Sequence, residues 1–122
     1  MRLRVDAGGV AFVLELDDGP TARAIVAALP FESRAQTWGE EVYFSTPVSA
    51  PLEPGARQVV EPGTVCFWTE GDAIALPWGR TPISTDHRPK LASPCSVLGR
   101  VAGDPAVLAQ VRAGARIEVS AA

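Results

Sequence analysis

Eleven prolines and eleven glycines fall within 122 residues, and they cut the apolar pattern into short runs. Proline is excluded from the interior of helices and central strands, and glycine marks turns. Between these breaks the apolar residues recur with a period of two. Leu3, Val5 and Ala7 alternate with Arg2, Arg4 and Asp6. After Gly8-Gly9, Phe12, Leu14 and Leu16 alternate again. Two glycines between alternating runs signal a hairpin, because glycine adopts positive φ without a steric penalty. The chain therefore opens as strand, turn, strand.

Asp17-Asp18-Gly19-Pro20 starts a helix, with Asp18 or Gly19 at the cap and Pro20 in the first turn. Ala22, Ile25, Val26 and Leu29 share one helical face, and Pro30 ends the segment. The pattern then turns to β. Val42 and Phe44 alternate with Glu41 and Tyr43, and Val65 and Phe67 with Cys66 and Trp68. Arg57 to Val60, Ala73 to Leu76 and Val97 to Val101 are further strands. Residues 47–54 and 77–94 are proline-rich and read as loops, while Glu61-Pro62-Gly63 and Glu70-Gly71-Asp72 read as turns. Asp104-Pro105 repeats the helix start, with Val107, Leu108 and Val111 as its buried stripe and Gly114 as its stop. Ile117 and Val119 finish as an edge-like strand. The sum is seven or eight short strands and two short helices. Without βαβ alternation a parallel sheet is disfavoured. The expectation is a mainly β chain, a closed antiparallel β-barrel capped by two short α-helices, as one domain over residues 1–122.

Charge and composition exclude several functions. The net charge is −3 with scattered basic residues, so no electrostatic footprint for nucleic acid or for a membrane surface is present. The longest apolar window, near residues 24–31, is too short to span a bilayer. Cys66 and Cys95 form no CxxC pair, and His87 is the sole histidine. That set provides no zinc site, no calcium loop and no phosphate-cradling glycine motif. No metal and no cofactor are expected, and the absence of a leader pattern suggests the cytoplasm.

Three places hold residues with chemistry to offer. In Trp38-Gly39-Glu40-Glu41, two acids stand at the entrance of a strand beside an aromatic ring. Glu41 and Tyr43 fall on one face of that strand, and Val42 and Phe44 on the core face. A carboxylate with an aromatic wall can bind an amine, amide or guanidinium, or act as acid or base if its pKa is raised. The alternative is that Glu40 and Glu41 close a turn and pair with arginines. In Trp78-Gly79-Arg80, the guanidinium can hold a carboxylate or pair with those acids. Ser84, Asp86 and His87 lack the frame of a nucleophilic triad, and Cys95 fits a buried apolar filler.

Several blocks also resemble a known family. They are Leu29-Pro30-Phe31-Glu32-Ser33, the run from Thr37 through Trp38-Gly39-Glu40-Glu41 to Pro47, Glu61-Pro62-Gly63, Trp68, Gly79-Arg80-Thr81-Pro82, and Ser93 through Gly99. Together they resemble the small prokaryotic cyclophilin-like domains, a family whose role is largely unassigned. The resemblance implies an eight-stranded barrel with a helix at each end. It does not imply prolyl isomerase activity, because the Phe-Met-x-Gln-Gly-Gly segment of true cyclophilins is absent. The favoured expectation is a binding module for a small polar molecule or short peptide. Its cleft would be lined by Trp38, Tyr43, Trp68 and Trp78, with Glu40, Glu41 and Arg80 as polar anchors. The alternatives are an enzyme, either a residual prolyl isomerase or a carboxylate-assisted hydrolase, and a homodimer paired through edge strands.

Overall fold

The computed structural model describes residues 1–122. The strands in chain order are β1 (Arg2–Ala7), β2 (Val10–Leu16), β3 (Phe31–Arg34), β4 (Gln36–Thr37), β5 (Glu41–Ser45), β6 (Arg57–Val59), β7 (Thr64–Trp68), β8 (Ala73–Pro77), β9 (Lys90–Val101) and β10 (Arg116–Ala121). One α-helix, α1 (Pro20–Ala27), follows β2. The helix expected after Asp104, Pro105–Gln110, takes the tighter 3₁₀ form, as does a single turn at Thr69–Gly71. Gly8 and Gly9, at φ 61° and 94°, make the two-residue turn between β1 and β2. No helix is long and apolar enough to cross a membrane.

The strands form one antiparallel sheet in the order β3-β10-β1-β2-β9-β7-β8-β5-β4, with β6 paired to β9 off this path. The two ends of that order, β3 and β4, are successive lengths of one extended segment interrupted at Ala35. The Ala35 N–H donates to the Ala115 carbonyl and its own carbonyl accepts from the Gly114 N–H, both at 2.8 Å. The sheet therefore curls into a nearly closed barrel, with the Ser33 and Ser45 hydroxyls 3.3 Å apart across the seam. The interior is filled by inward residues of alternate register, among them Leu3, Val5, Leu14, Val42, Phe44, Phe67, Ile74 and Ile117, with Ile25 of α1 and Leu108 closing the ends. This is the alternation that the sequence displays, because a half-buried antiparallel strand presents every second residue to the core.

Several elements differ from the sequence reading. Ten strand segments form rather than seven or eight, because Phe31–Arg34 and Gln36–Thr37 also pair. The loop expected over residues 77–94 is shorter, since β9 starts at Lys90. Pro94 sits inside β9 where the register slips: Arg57 faces Cys95, but Val59 faces Lys90. Proline is tolerated at such an irregularity because a donor is not required there. β10 is not an edge strand; it pairs with β1 on one side and β3 on the other. Val26 is exposed, as the short helix buries only Thr21, Ala22 and Ile25. Gly114, at φ 87°, turns the chain into β10 rather than ending the helix, which stops at Gln110.

Candidate functional site

β7, β8 and β5 are neighbours in the sheet, and each sends alternate side chains inward and outward. Inward go Val42, Phe44, Val65, Phe67, Ile74 and Leu76. Outward go Glu41 and Tyr43 of β5, Cys66 and Trp68 of β7, and Ala75 of β8, which stands opposite both Tyr43 and Cys66. The first half of β9 covers this outer face. Its Leu91 and Cys95 join Val60, Cys66 and Ala75 in a second, smaller core, with Tyr43 and Trp68 packed against it. The cover is incomplete. It leaves a cavity of about 140 Å³ lined by Trp38, Glu41, Tyr43, Trp68, Ala75, Leu91, Ala92 and Cys95.

Glu41 is the one charged residue in that lining. It is only 6% exposed, and its Oε1 has no hydrogen-bond partner. Burial pushes its carboxyl from the ordinary 4.5 up to about 7, since loss of water disfavours the charged form. A buried acceptor left without a donor costs the desolvation of that group, so this atom is an exception within a fold whose other buried side-chain polar atoms are satisfied.

The aromatic walls are fixed by their polar ends. Tyr43 and Trp68 meet edge to face, with ring centroids 6.1 Å apart at an interplanar angle of 86°. The Tyr43 hydroxyl donates to Gln36 Oε1 at 3.0 Å. Trp68 Nε1 donates to Ser93 Oγ at 3.1 Å, and that hydroxyl donates to Glu70 Oε2 at 2.8 Å. Cys95 donates its thiol to the Ser93 carbonyl at 3.3 Å. Burial pushes the Cys95 thiol up to about 12 and raises Cys66 as well, with the charge of Glu41 adding to both. Both cysteines are therefore protonated, Cys95 as apolar wall and Cys66 within the small core, and neither is a nucleophile.

A tight turn delivers Trp38 and Glu41 to the cavity. The Trp38 N–H donates to the Glu41 carbonyl at 3.0 Å. Gly39 between them has φ +59°, and a Cβ there would lie 2.8 Å from Pro82 Cδ and 3.0 Å from the Arg80 carbonyl oxygen. Only glycine meets both demands. Glu40 clamps this turn to the one that follows β8. Its N–H donates to the Arg80 carbonyl at 2.8 Å, and its own carbonyl accepts from the Trp78 and Gly79 N–H groups at 2.8 and 3.1 Å. Its carboxylate accepts the Arg80 N–H at 3.0 Å.

The seven residues singled out in the sequence thus divide. Trp38, Glu41, Tyr43 and Trp68 line the cavity. Glu40, Trp78 and Arg80 lie in the adjoining pair of turns and do not line it. Trp78 packs against the barrel interior. The Arg80 guanidinium donates to the Ser84 carbonyl at 3.2 Å and forms no salt bridge with either acid. Ala75, Leu91, Ala92 and Cys95 complete the lining, and sequence reasoning did not place them there. Alternation within β8 marks Ala75 as outward, whereas the loop reading of residues 90–94 conceals Leu91 and Ala92. His87 is exposed, and its neighbour Asp86 is bound to Arg88 at 2.8 Å, which holds that carboxyl down to about 2. Ser84 Oγ accepts the N–H groups of Thr81 and Lys90, so it braces the loop.

The comparisons with known proteins agree with this architecture. The family described as Cyclophilin-like matches residues 1–120. The solution structure of the hypothetical protein AF2241 from Archaeoglobus fulgidus is similar at 38% identity and a TM-score of 0.84, covering 100% of this chain and 95% of that one. No curated protein matches the sequence. A barrel of this topology, matched across nearly its whole length, places the chain in the cyclophilin-like family.

Proposed function

We propose that this protein is a binding module whose outer-face cavity takes a small molecule, or one side chain of a short peptide, with an apolar body and a single polar group set against Glu41. The observation that carries the reading is a buried Glu41, with its Oε1 unpartnered, in the lining of an otherwise apolar cavity. Small-molecule sites combine mostly apolar walls with a few placed polar groups, and they coincide with perturbed carboxyls. Trp38, Tyr43 and Trp68 supply flat surface at low entropic cost, and Glu41 supplies orientation. Glu40, Trp78 and Arg80 act at one remove, by fixing the turns that carry Trp38 and Glu41.

A second reading rests on the same carboxyl. A group that titrates at about 7 has the proton affinity that general acid–base catalysis uses near neutrality. An enzyme of this kind would work through Glu41 and not through Cys95, whose thiol stays protonated.

The three tryptophans make a direct test. Trp38 and Trp68 line the cavity, while Trp78 is half-buried against the barrel core, outside the cavity lining, and serves as an internal reference. In a fragment screen followed by the indole N–H signals in NMR, hits should move Trp38 and Trp68 and leave Trp78 in place. Glu41→Leu, which fills the polar corner with hydrocarbon, should abolish the hits that carry a polar group. Hits that gather on other surfaces, with both cavity indoles unmoved, would sink the proposal.

A further inference from the structure

Resting on that reading of the cavity as a binding site, we infer that its occupant is an organic ammonium ion, a primary or secondary alkylamine in its charged form, whose N–H donates to the Glu41 carboxylate while its charge faces the rings of Trp38, Tyr43 and Trp68. Taking a carboxylate out of water is costly unless a positive partner or several donors offset it. Every element around Glu41 contributes to the cavity wall: Trp38 from the preceding turn, Tyr43 from β5, Ala75 from β8, Trp68 from β7, and Leu91, Ala92 and Cys95 from β9. Cys66 of β7 adds a second thiol close enough to feel the charge of Glu41. None of these brings a positive charge, and none donates a hydrogen bond to Oε1. The missing partner is a cationic donor.

The walls select the same chemistry. Aromatic rings attract a cation through their negative faces, and the attraction grows where water is excluded. Tyr43 and Trp68 stand nearly perpendicular, at 86°, so they form a corner and not a slot, which suits a compact ammonium head better than a flat heterocycle. An anion would meet like charge from Glu41. A quaternary ammonium would leave Oε1 without a donor, as it has no N–H. A neutral alcohol could donate, but it would leave the charge uncompensated.

Charge compensation links binding to protonation. Glu41 titrates at about 7 in the unliganded fold, so the ammonium must displace a proton below that pH. The site should bind its cation well above neutrality and lose it as the pH falls. The ionised fraction of a carboxyl with this pKa changes about thirtyfold between pH 5.5 and 8.0.

The test titrates the protein with n-butylammonium and with its neutral counterpart 1-butanol, following the Trp38 and Trp68 indole signals against Trp78. The expected result is tighter binding of butylammonium than of 1-butanol at pH 8.0, with an apparent Kd about thirtyfold weaker at pH 5.5. Glu41→Gln keeps the shape of the side chain, and it should flatten that pH profile and equalise the two probes. If butylammonium and 1-butanol bind equally at both pH values in the wild-type protein, the ammonium inference is overturned while the cavity reading stands. If neither probe moves Trp38 or Trp68, both are overturned. The wild-type pH profile decides the matter even if the variant does not fold.

Discussion

The two faces of β5, β7 and β8 are built from the same three strands, yet they serve opposite ends. On the inner face Phe44, Phe67, Ile74 and Leu76 are fully buried among twenty-two core residues. On the outer face only five buried residues gather, and they leave a cavity with an unpartnered carboxylate at its edge. Adjacent residues of one strand thus meet a close-packed interior and an unfilled site. Dense packing stabilises a fold, whereas a cavity and a desolvated acid subtract from stability. The contrast teaches that the barrel interior supports the fold strongly enough to tolerate a costly arrangement one residue away.

The widest gap should appear between neighbours. Phe44→Ala removes a fully buried ring and should cost about 3–5 kcal/mol. Tyr43→Ala removes a half-buried ring that borders the cavity, and it should cost about 1–2 kcal/mol, because the site already lacks part of its packing. Urea melts of both variants measure the difference. Equal losses would mean that the outer face is as tightly packed as the inner one.

The next effect is electrostatic and depends on pH. Below pH 4.5 the Glu41 carboxyl carries its proton in the folded and unfolded chain alike, so burial exacts no ionisation cost. As the pH rises from 4.5 to about 7, the unfolded chain releases the proton while the fold retains it, and stability falls. At about 1.4 kcal/mol per pKa unit the loss reaches about 3 kcal/mol above neutrality. Glu41→Gln removes this dependence. Its stability relative to wild type should therefore improve by about 3 kcal/mol between pH 4.5 and pH 8. A pH-independent difference in denaturation midpoints would place Glu41 in contact with water.

The smallest effect is expected at Arg80. Its side chain is exposed and makes one hydrogen bond, to the Ser84 carbonyl, so Arg80→Ala should change stability by no more than about 0.5 kcal/mol. It should also leave the Trp38 and Trp68 signals where they are. A larger perturbation of those indoles would draw Arg80 into the site.

Period-two alternation made much of this legible. It sorted Val42 and Phe44 from Glu41 and Tyr43, and Val65 and Phe67 from Cys66 and Trp68, because strand geometry leaves the chain no other choice. The Gly8-Gly9 hairpin, the Pro20 helix start and the Asp104 cap were legible for equally local reasons; Asp104 Oδ1 accepts the Ala106 N–H at 2.9 Å. What local chemistry could not reveal is which strands meet. Pro94 made the first half of β9 look like a loop, and with it vanished Leu91 and Ala92, two walls of the cavity. Ile117 and Val119 looked like an edge, although β1 and β3, both from the first third of the chain, flank them. Glu40 and Trp78 carry the same chemistry as Glu41 and Trp38. Only the packing of one turn on another separates the clamp from the lining.

The pairing of β1 with β10, where Leu3 faces Ala121 and Ala7 faces Ile117, has a consequence for biosynthesis. During translation the hairpin of β1 and β2 emerges long before β10 exists. Until then the outer edge of β1 displays unpaired backbone donors and acceptors, beside Leu3 and Val5 that have no interior to enter. Such an edge is a template for pairing with another chain, and a sheet assembled from partners distant in sequence folds slowly enough for that hazard to matter. The nascent protein is therefore most vulnerable to aggregation in the interval before β10 arrives to seal the first strand.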